Sequence, residues 1–402
     1  MNTGDRGSGA LCLPARGKGG DTRRADAPTK VRMTMQTTNV GAVAIVHDYL
    51  TQRGGAERVV LSMLRAFPDA SVHTALHEPG TTFPELGTAD VRTLGMNRWA
   101  TLRRHHRLAF PLLASAFASL RLDHPVVLCS SSGWSHGVQA RGRKIVYCHA
   151  PARWLYQPKV YLRPKQVVHN AALAMMRPSL TRWDKRAAST ADRYLTNSTS
   201  VQAQVWAHYG IDADVLPPPH TIDPGGAQEV VEGLEPGFYL CVSRLMPYKN
   251  VDAVVEAFAG LPHLQLVVCG RGPDEARLRS SATSNVTILG SVSDGELRWL
   301  YARARALVAA SYEDYGLTPV EAAAFGAPSV VLRAGGFLDT VVEGRTGVFF
   351  DTPSPLAIRG AVERCEAEAW STTDIRTHAQ AYSEEHFVDR LRDIVADMSV
   401  AP

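Results

Sequence analysis

Glu313 and Glu321 lie eight positions apart, on either side of Asp314-Tyr315-Gly316-Leu317-Thr318-Pro319-Val320. That segment reads as the passage from a strand into a helix. An apolar run ends near Ala309, and Pro319 suits the first helical position. Glu313 is then on the loop and Glu321 in the first helical turn. Apart from Pro319, the N–H groups from Gly316 to Val320 approach a helix N-terminus, which favours an anion such as phosphate. Carboxylates repel phosphate. They are better suited to accept hydrogen bonds from sugar hydroxyls on either side of it. Glu321 also has a plainer reading, because Thr318-x-x-Glu321 matches a capping box. Glu313 has no evident local partner.

A second set of polar residues follows another predicted strand. Val242-Ser243-Arg244-Leu245-Met246-Pro247-Tyr248-Lys249-Asn250 places two cations on a loop just before a helix. Arg244 offers a planar fork and Lys249 a point charge, both suited to a diphosphate. Taken singly, such residues are solvated loop charges. Gly270-Arg271-Gly272-Pro273 ends the next strand and is uninformative alone, since Gly-x-Gly turns arise for steric reasons. Earlier in the chain, Gly54 and Gly55 lie between a strand and a helix, where paired glycines admit either a tight turn or a close ligand. His149 and Arg153 follow the strand ending at Cys148, and Asn197 and Ser198 end another. The latter two open a helix in which Thr199-x-x-Gln202 is capping-box-like.

Parallel strands must position these residues. From residue 41 short β-branched runs alternate with longer helical stretches: strands at Val43–His47, Ser71–Leu76, Val126–Cys129, Lys144–Cys148 and Arg193–Thr196, with helices at Gly55–Phe67 and Thr199–Tyr209. Leu216-Pro217-Pro218-Pro219 can continue neither a helix nor a central strand and reads as a linker. The alternation then restarts, with strands at Phe238–Val242, Leu264–Cys269, Val286–Leu289, Ala306–Ala309 and Ser329–Leu332, and helices beginning near Asn250, Pro273, Ser293, Thr318 and Phe337. The expected plan is a disordered extension over 1–39, with Met33 and Met35 as alternative starts. Two Rossmann-like domains follow, over 40–217 and 218–385, with parallel sheets facing across a cleft. A C-terminal helix over 386–402 is a candidate to cross between them.

The 402 residues allow two cores, and 45% apolar against 20% charged residues fits a globular protein. A net charge of +4 is too small to argue for nucleic acid. Cys129, Cys148, Cys241 and Cys269 sit in or beside apolar runs and read as buried free thiols in a reducing compartment. With no apolar run near the ~20 residues of a membrane span, the expected location is cytoplasmic, or peripheral on the inner face of the cell membrane.

Glu313-x7-Glu321, Ser243-Arg244-Leu245…Lys249 and Gly270-Arg271-Gly272-Pro273 together resemble the family 4 retaining glycosyltransferases of GT-B fold, over nearly the whole chain from residue 41. The resemblance implies that Arg244 and Lys249 hold the donor diphosphate and that Glu321 binds the ribose hydroxyls. It places Glu313 on the transferred sugar, backbone N–H groups of Gly316, Leu317 and Thr318 on sugar or phosphate, Val292 near the nucleobase, and Gly54 and Gly55 opposite the diphosphate and acceptor. Tyr147-Cys148-His149-Ala150-Pro151-Ala152-Arg153 is similar to a segment of mannosyltransferase-like members. It implies that His149 faces the donor sugar, opposite Glu313 across the cleft, with Arg153 a weaker candidate for a donor or acceptor contact. His149, Glu313, Arg244 and Lys249 are therefore the candidate catalytic residues. The implied reaction moves a hexose, first mannose from GDP-mannose, to a hydroxyl with retention, the leaving phosphate taking the acceptor proton. The donor is a substrate, and no cofactor or metal is implied. Asp212-Ala213-Asp214 is formally a metal-binding signature of another glycosyltransferase fold, but it precedes a strand instead of following one.

Arg98–Arg121 joins Arg103, Arg104, His105, His106 and Arg107 to the apolar Leu108–Leu120. It reads either as an interfacial segment on anionic lipid, suited to a lipid-linked acceptor, or as a buried helix with a solvated basic end. The rival functions are a nucleotide-sugar epimerase of similar shape and a non-catalytic sugar- or nucleotide-binding partner.

Overall fold

The computed structural model describes residues 42–157, 167–220 and 222–400. The extension expected over 1–39 lies outside them. In the N-terminal half the strands are β1 (Val43–His47), β2 (Ser71–Thr74), β3 (Val91–Thr93), β4 (Arg121–Leu122), β5 (Val126–Ser131), β6 (Gln139–Ala140), β7 (Arg143–Cys148), β8 (Arg193–Thr196) and β9 (Asp214–Val215). Seven of them form a parallel sheet in the order β3-β2-β1-β5-β7-β8-β9, and β4 and β6 form a separate pair. The C-terminal half contributes β10 (Tyr239–Val242), β11 (Leu266–Cys269), β12 (Val286–Gly290), β13 (Ala306–Ala309), β14 (Ser329–Leu332) and β15 (Gly347–Phe350). These form a second parallel sheet, in the order β12-β11-β10-β13-β14-β15.

Both orders reverse direction beside the first strand of their sheet, as in doubly wound dinucleotide-binding folds. The reversals fall between β1 and β5 and between β10 and β13. There the loops leaving neighbouring strands diverge to opposite faces and open a crevice at the carboxyl edge. The apolar runs that announced these strands are continuous because both faces are covered. Every residue of β1, β5, β11, β13 and β14 is buried.

The helices lie on both faces. Those at Val251–Ala259 and Pro355–Ala367 share one cluster with β10, β11 and β14. Trp299, Leu300, Tyr301 and Phe325 build the core on the opposite face. The sequence reading passed over β15 and the helices Val167–Ala188, Pro355–Ala367 and Thr372–Gln380. Val167–Ala188 contains Pro178, and its apolar residues form no stripe of helical period that announces it.

Leu216 and Pro218 of the proline run are held by one tyrosine from each half. Tyr147 Oη donates to the Leu216 carbonyl at 2.8 Å, and Tyr315 Oη to that of Pro218 at 2.8 Å. The terminal helix Glu384–Val400 runs back to the N-terminal half. Its Phe387, Leu391 and Val395 are buried with Ile45, Val60 and Met63, and Arg392 Nε donates to the Ala66 carbonyl at 3.0 Å. Among the described residues five free cysteines are buried, Cys365 joining the four anticipated from apolar runs.

Candidate active site

Lys249 and Glu313 meet where the C-terminal sheet reverses. Lys249 ends the loop after β10, and Glu313 stands on the loop after β13. Lys249 Nζ pairs with Glu313 Oε1, their side chains 10% and 28% exposed, and Ser311 Oγ donates to the same oxygen at 2.5 Å. Glu313, expected to lack a local partner, therefore has two. Asn250 joins the loops, its Nδ2 donating to the Ala310 carbonyl at 2.9 Å. Its φ of 52° makes it the one non-glycine residue with left-handed backbone among the described residues. Asn tolerates that conformation better than most side chains. Arg244 is exposed and donates to Tyr248 Oη at 2.8 Å, while Lys249 Nζ lies 5.1 Å from the centre of the Tyr248 ring.

Gly270-Arg271-Gly272 carries more structural weight than its sequence suggested. The strand-end loops after β10 and β11 run backbone to backbone, with Ser243 N–H on the Cys269 carbonyl at 3.0 Å and Leu245 N–H on that of Arg271 at 2.9 Å. A Cβ at Gly270 would strike the Ser243 carbonyl, and one at Gly272 that of Leu245; Gly270 also has a φ of 141°. The cationic loop is thereby fixed against its neighbour.

Glu321 does not cap its helix. The helix spans Leu317–Ala324 with Gly316 at the N-cap, at φ 86°, and no side chain caps it. Glu321 thus sits beyond the third helical position, out of reach of a capping box. It is 6% exposed, and Tyr301 Oη donates to its Oε2 at 2.8 Å. The helix N-terminus and its glycine lie between the two carboxylates, as the sequence implied. Val292 is partly buried against the cluster that contains Tyr301.

From the N-terminal half, His149 lies just past β7, half-buried, with Nε2 2.8 Å from Ser130 Oγ. Its backbone carbonyl accepts from Asn197 Nδ2 at 2.9 Å. Burial, with the neighbouring His47, lowers its pKa to about 3, so the ring is neutral. No hydrogen bond joins His149 to Glu313 among the described residues, and the ring nitrogen that is engaged bonds Ser130. Arg153 instead pairs with Asp314, whose carboxylate is 8% exposed and also accepts from Gln204 Nε2 at 3.0 Å. Ser198 Oγ donates to the Asp314 carbonyl and accepts from Val201 N–H at 3.1 Å. Ser198, not Thr199, therefore caps the helix Thr199–Tyr209. Thr199 bonds Asp339 through both its N–H, at 2.8 Å, and its hydroxyl, at 2.6 Å.

The N-terminal half thus grips the residue that follows Glu313, while Gly336 N–H holds the Glu313 carbonyl at 2.8 Å from the other side. Sequence reasoning missed Ser130, Tyr301, Ser311 and Asp314. Only Asp314 carried a visible signal, a third acid between the paired carboxylates.

Gly54 and Gly55 differ. A Cβ at Gly54 would crowd the Glu57 carboxylate, whereas one at Gly55 would meet nothing within 4 Å. Gly55 therefore has no steric reason of its own in this fold. Asp214 of the Asp-x-Asp sequence is engaged by Arg193 Nε at 2.8 Å. Among the described residues no group of three or more metal-ligating side chains converges, and no helix is long and apolar enough to cross a membrane. A groove of about 380 Å³, lined by Arg58, Ser62, Phe83, His220, Asp223 and Glu384 among others, contains none of the expected site residues.

Residues 53–223 match the model for Glycosyltransferase Family 4, and residues 227–386 that for Glycosyl transferases group 1. A glycogen synthase from Thermus caldophilus is 36% identical over 169 residues, 36% of this chain and 39% of that protein. A D-inositol 3-phosphate glycosyltransferase from Mycobacterium bovis is 32% identical over 206 residues, 45% of this chain and 43% of that one. The matches therefore span about two-fifths of each relative's length. Among solved structures, sucrose-phosphate synthase from Thermosynechococcus elongatus superposes with a TM-score of 0.67 at 17% identity, covering 90% of this chain and 100% of that one. Anabaena HepE in complex with UDP-glucose superposes with a TM-score of 0.65 at 17% identity, covering 88% and 99%. With both domain models matched in order on two doubly wound sheets, the chain belongs with the group 1 glycosyltransferases of GT-B fold.

Proposed function

We propose that this chain transfers a hexosyl group from a nucleoside diphosphate sugar to a hydroxyl acceptor, with retained anomeric configuration and without a metal. The observation that carries the reading is the Lys249–Glu313 pair at the crevice of the C-terminal sheet, beside the free N-terminus of the helix Leu317–Ala324. Lys249 has three N–H donors, so it can keep Glu313 and still reach a phosphate oxygen. With Arg244 and the helix N-terminus it would stabilise charge building on the departing diphosphate, the task otherwise given to a divalent ion. Glu321, held by Tyr301, is the acceptor for ribose hydroxyls, and Glu313 and His149 position the sugar. Val292 lies toward the base, and Gly55 toward the diphosphate and acceptor.

GDP-mannose is the first candidate donor, on the resemblance of Tyr147–Arg153 alone. A lipid-linked acceptor at the inner membrane face, for cell-surface polysaccharide or glycolipid, fits the basic segment. There Phe110, Leu113 and Phe117 are buried, but Trp99, Leu108 and Leu112 are exposed beside Arg104, His105 and Arg107. Arg103 serves the fold, donating to Glu78 at 3.0 Å and to the Asn97 carbonyl at 2.6 Å. Charge reversal should therefore target Arg104 and spare Arg103. Unchanged binding of that variant to anionic vesicles removes the membrane part of the proposal.

The test of function is a panel of nucleotide sugars scored by thermal shift and then by turnover with EDTA present. Donor binding raises the melting temperature by mass action. Lys249→Ala should reduce turnover more than about tenfold while the protein stays folded. A panel in which no nucleotide sugar shifts melting refutes the reading.

A further inference from the structure

The reversal point of the N-terminal sheet carries a row of three hydrogen-bonded side chains. His47 ends β1, Ser130 is its register partner on β5, and His149 follows β7, its N–H on the Ser131 carbonyl at 2.9 Å. His47 Nδ1 lies 3.1 Å from the Ser130 carbonyl oxygen and 3.0 Å from Ser130 Oγ. Ser130 Oγ lies 2.8 Å from His149 Nε2. His47 is 2% exposed and Ser130 is fully buried.

The protons in this row can be placed by elimination. A carbonyl oxygen only accepts, so His47 Nδ1 must carry a hydrogen, shared between the two oxygens of Ser130. Ser130 Oγ then accepts from His47 and keeps its own hydrogen to donate. Among the described residues, the acceptor in reach of that hydrogen is His149 Nε2. The reverse arrangement, with His149 Nε2–H donating to Ser130, would leave a buried hydroxyl proton without an acceptor, which costs stability. A neutral imidazole that accepts through Nε2 carries its proton on Nδ1. His149 Nδ1 has no hydrogen-bond partner among the described residues.

We propose that His47 and Ser130 fix His149 as the Nδ1–H tautomer, so that His149 meets its ligand as a hydrogen-bond donor and not as a base. The inference deepens the donor-site reading, on which it rests for the identity of the ligand: an oxygen of the bound sugar nucleotide. His47 and Ser130 are positioning residues. They touch no substrate and act through the ring of His149. Unconstrained neutral histidine in water favours the Nε2–H form, so losing Ser130 should turn the site from donor to acceptor.

Ring nitrogen and Cδ2 NMR shifts of the full chain, labelled at histidine and recorded at neutral pH, read the tautomer directly. His149→Gln identifies the signal. The wild type should show a protonated Nδ1 and an unprotonated Nε2. Ser130→Ala should move the ring toward Nε2–H, and Ser130→Thr, which keeps the hydroxyl, should restore the wild-type pattern. Ser130→Ala should also lower kcat about tenfold while leaving affinity for the free nucleoside diphosphate unchanged. An Nε2–H ring in the wild type overturns the proposal, even if no Ser130 variant folds. An unchanged ring in folded Ser130→Ala does the same. The predicted spectrum in a protein that turns over no nucleotide sugar would refute the transferase reading and leave the tautomer assignment standing.

Discussion

Tyr301→Phe separates two readings of Glu321. If Glu321 capped its own helix, Tyr301 would be a bystander, and losing its hydroxyl would cost little. The structure places the Tyr301 hydroxyl 2.8 Å from Glu321 Oε2, with the residues 1% and 6% exposed. A hydrogen bond to a charged group contributes about 1.5–3 kcal/mol. Glu321 has a further interaction besides Tyr301, so the loss should fall toward the low end, roughly 2 kcal/mol. For a domain the size of the C-terminal half, that lowers the melting temperature by about 4–8 °C. Thr318→Ala is the matched control. A working capping box would make it cost about 1 kcal/mol, whereas with Gly316 at the N-cap the change should stay within about 0.5 kcal/mol. Differential scanning calorimetry gives both shifts, and titration with GDP and UDP tests the proposed contact of the carboxylate with ribose. A silent Tyr301→Phe beside a destabilised Thr318→Ala would refute the assignment.

Three other perturbations follow from the same geometry. Arg153→Ala strips the buried Asp314 carboxylate of its cationic partner. Since Arg153 is itself 48% exposed, the stability cost should be only about 1–2 kcal/mol; turnover should fall more than nucleotide affinity, and equal loss of both would argue that Arg153 touches the donor directly. Gly55→Ala meets open space and should leave melting unchanged or slightly raised, so any fall in turnover measures ligand approach, while wild-type kinetics remove Gly55 from the site. Stability should also decline on acidification. Burial, then Arg92 and His124, lowers His73 to about 4, and burial, then His47, lowers His149 to about 3. Both rings are neutral in the fold but take up protons below about 6.5 when unfolded, so the stabilisation present above that pH is lost on descent toward 4 and 3, at up to ~1.4 kcal/mol per pH unit and site. Urea melts at pH 7 and 5 check this, and His73→Phe should flatten the slope.

The fold was legible because parallel strands covered on both faces must be continuous apolar runs, and the proline run interrupts them once. β15, at Gly347–Phe350, was passed over although it is as long as β13 and β14. Lys249 and Glu313 were legible for a related reason: polar residues that follow such runs must lie at the carboxyl edge of a sheet. Partnerships were much less so. Tyr301 and Glu321 sit on different helices, and Arg153 and Asp314 are 161 positions apart. Only strand order and loop path bring such pairs together. The capping-box motifs show the limit of local pattern. Thr318-x-x-Glu321 and Thr199-x-x-Gln202 both match, yet the helices are capped at Gly316 and Ser198. A box does form between Ser293 and Glu296, and it was not singled out.

Both sheets reach the candidate site at their reversal points, and the segment Tyr312–Tyr315 joins them. Glu313 faces Lys249 within the C-terminal half, while Asp314 faces Arg153, Gln204 and Ser198 of the N-terminal half. Adjacent side chains on a loop cannot move independently, so separating the halves would disturb Glu313 even though no bond from the N-terminal half reaches it among the described residues. The contacts at Asp314 and Asp339 are polar, Asp314 being buried and Asp339 partly so. Opening exchanges each for water, at a net cost of about 0.5–1.5 kcal/mol apiece. A handful of such bonds sums to a few kcal/mol, which differential binding of a ligand can offset. The same latch is too weak to lock the crevice and strong enough to hold Glu313 in place once a ligand offsets its opening. Arg153 and Asp314 should therefore govern how often the site is assembled, and Lys249 and Glu313 what it does when it is.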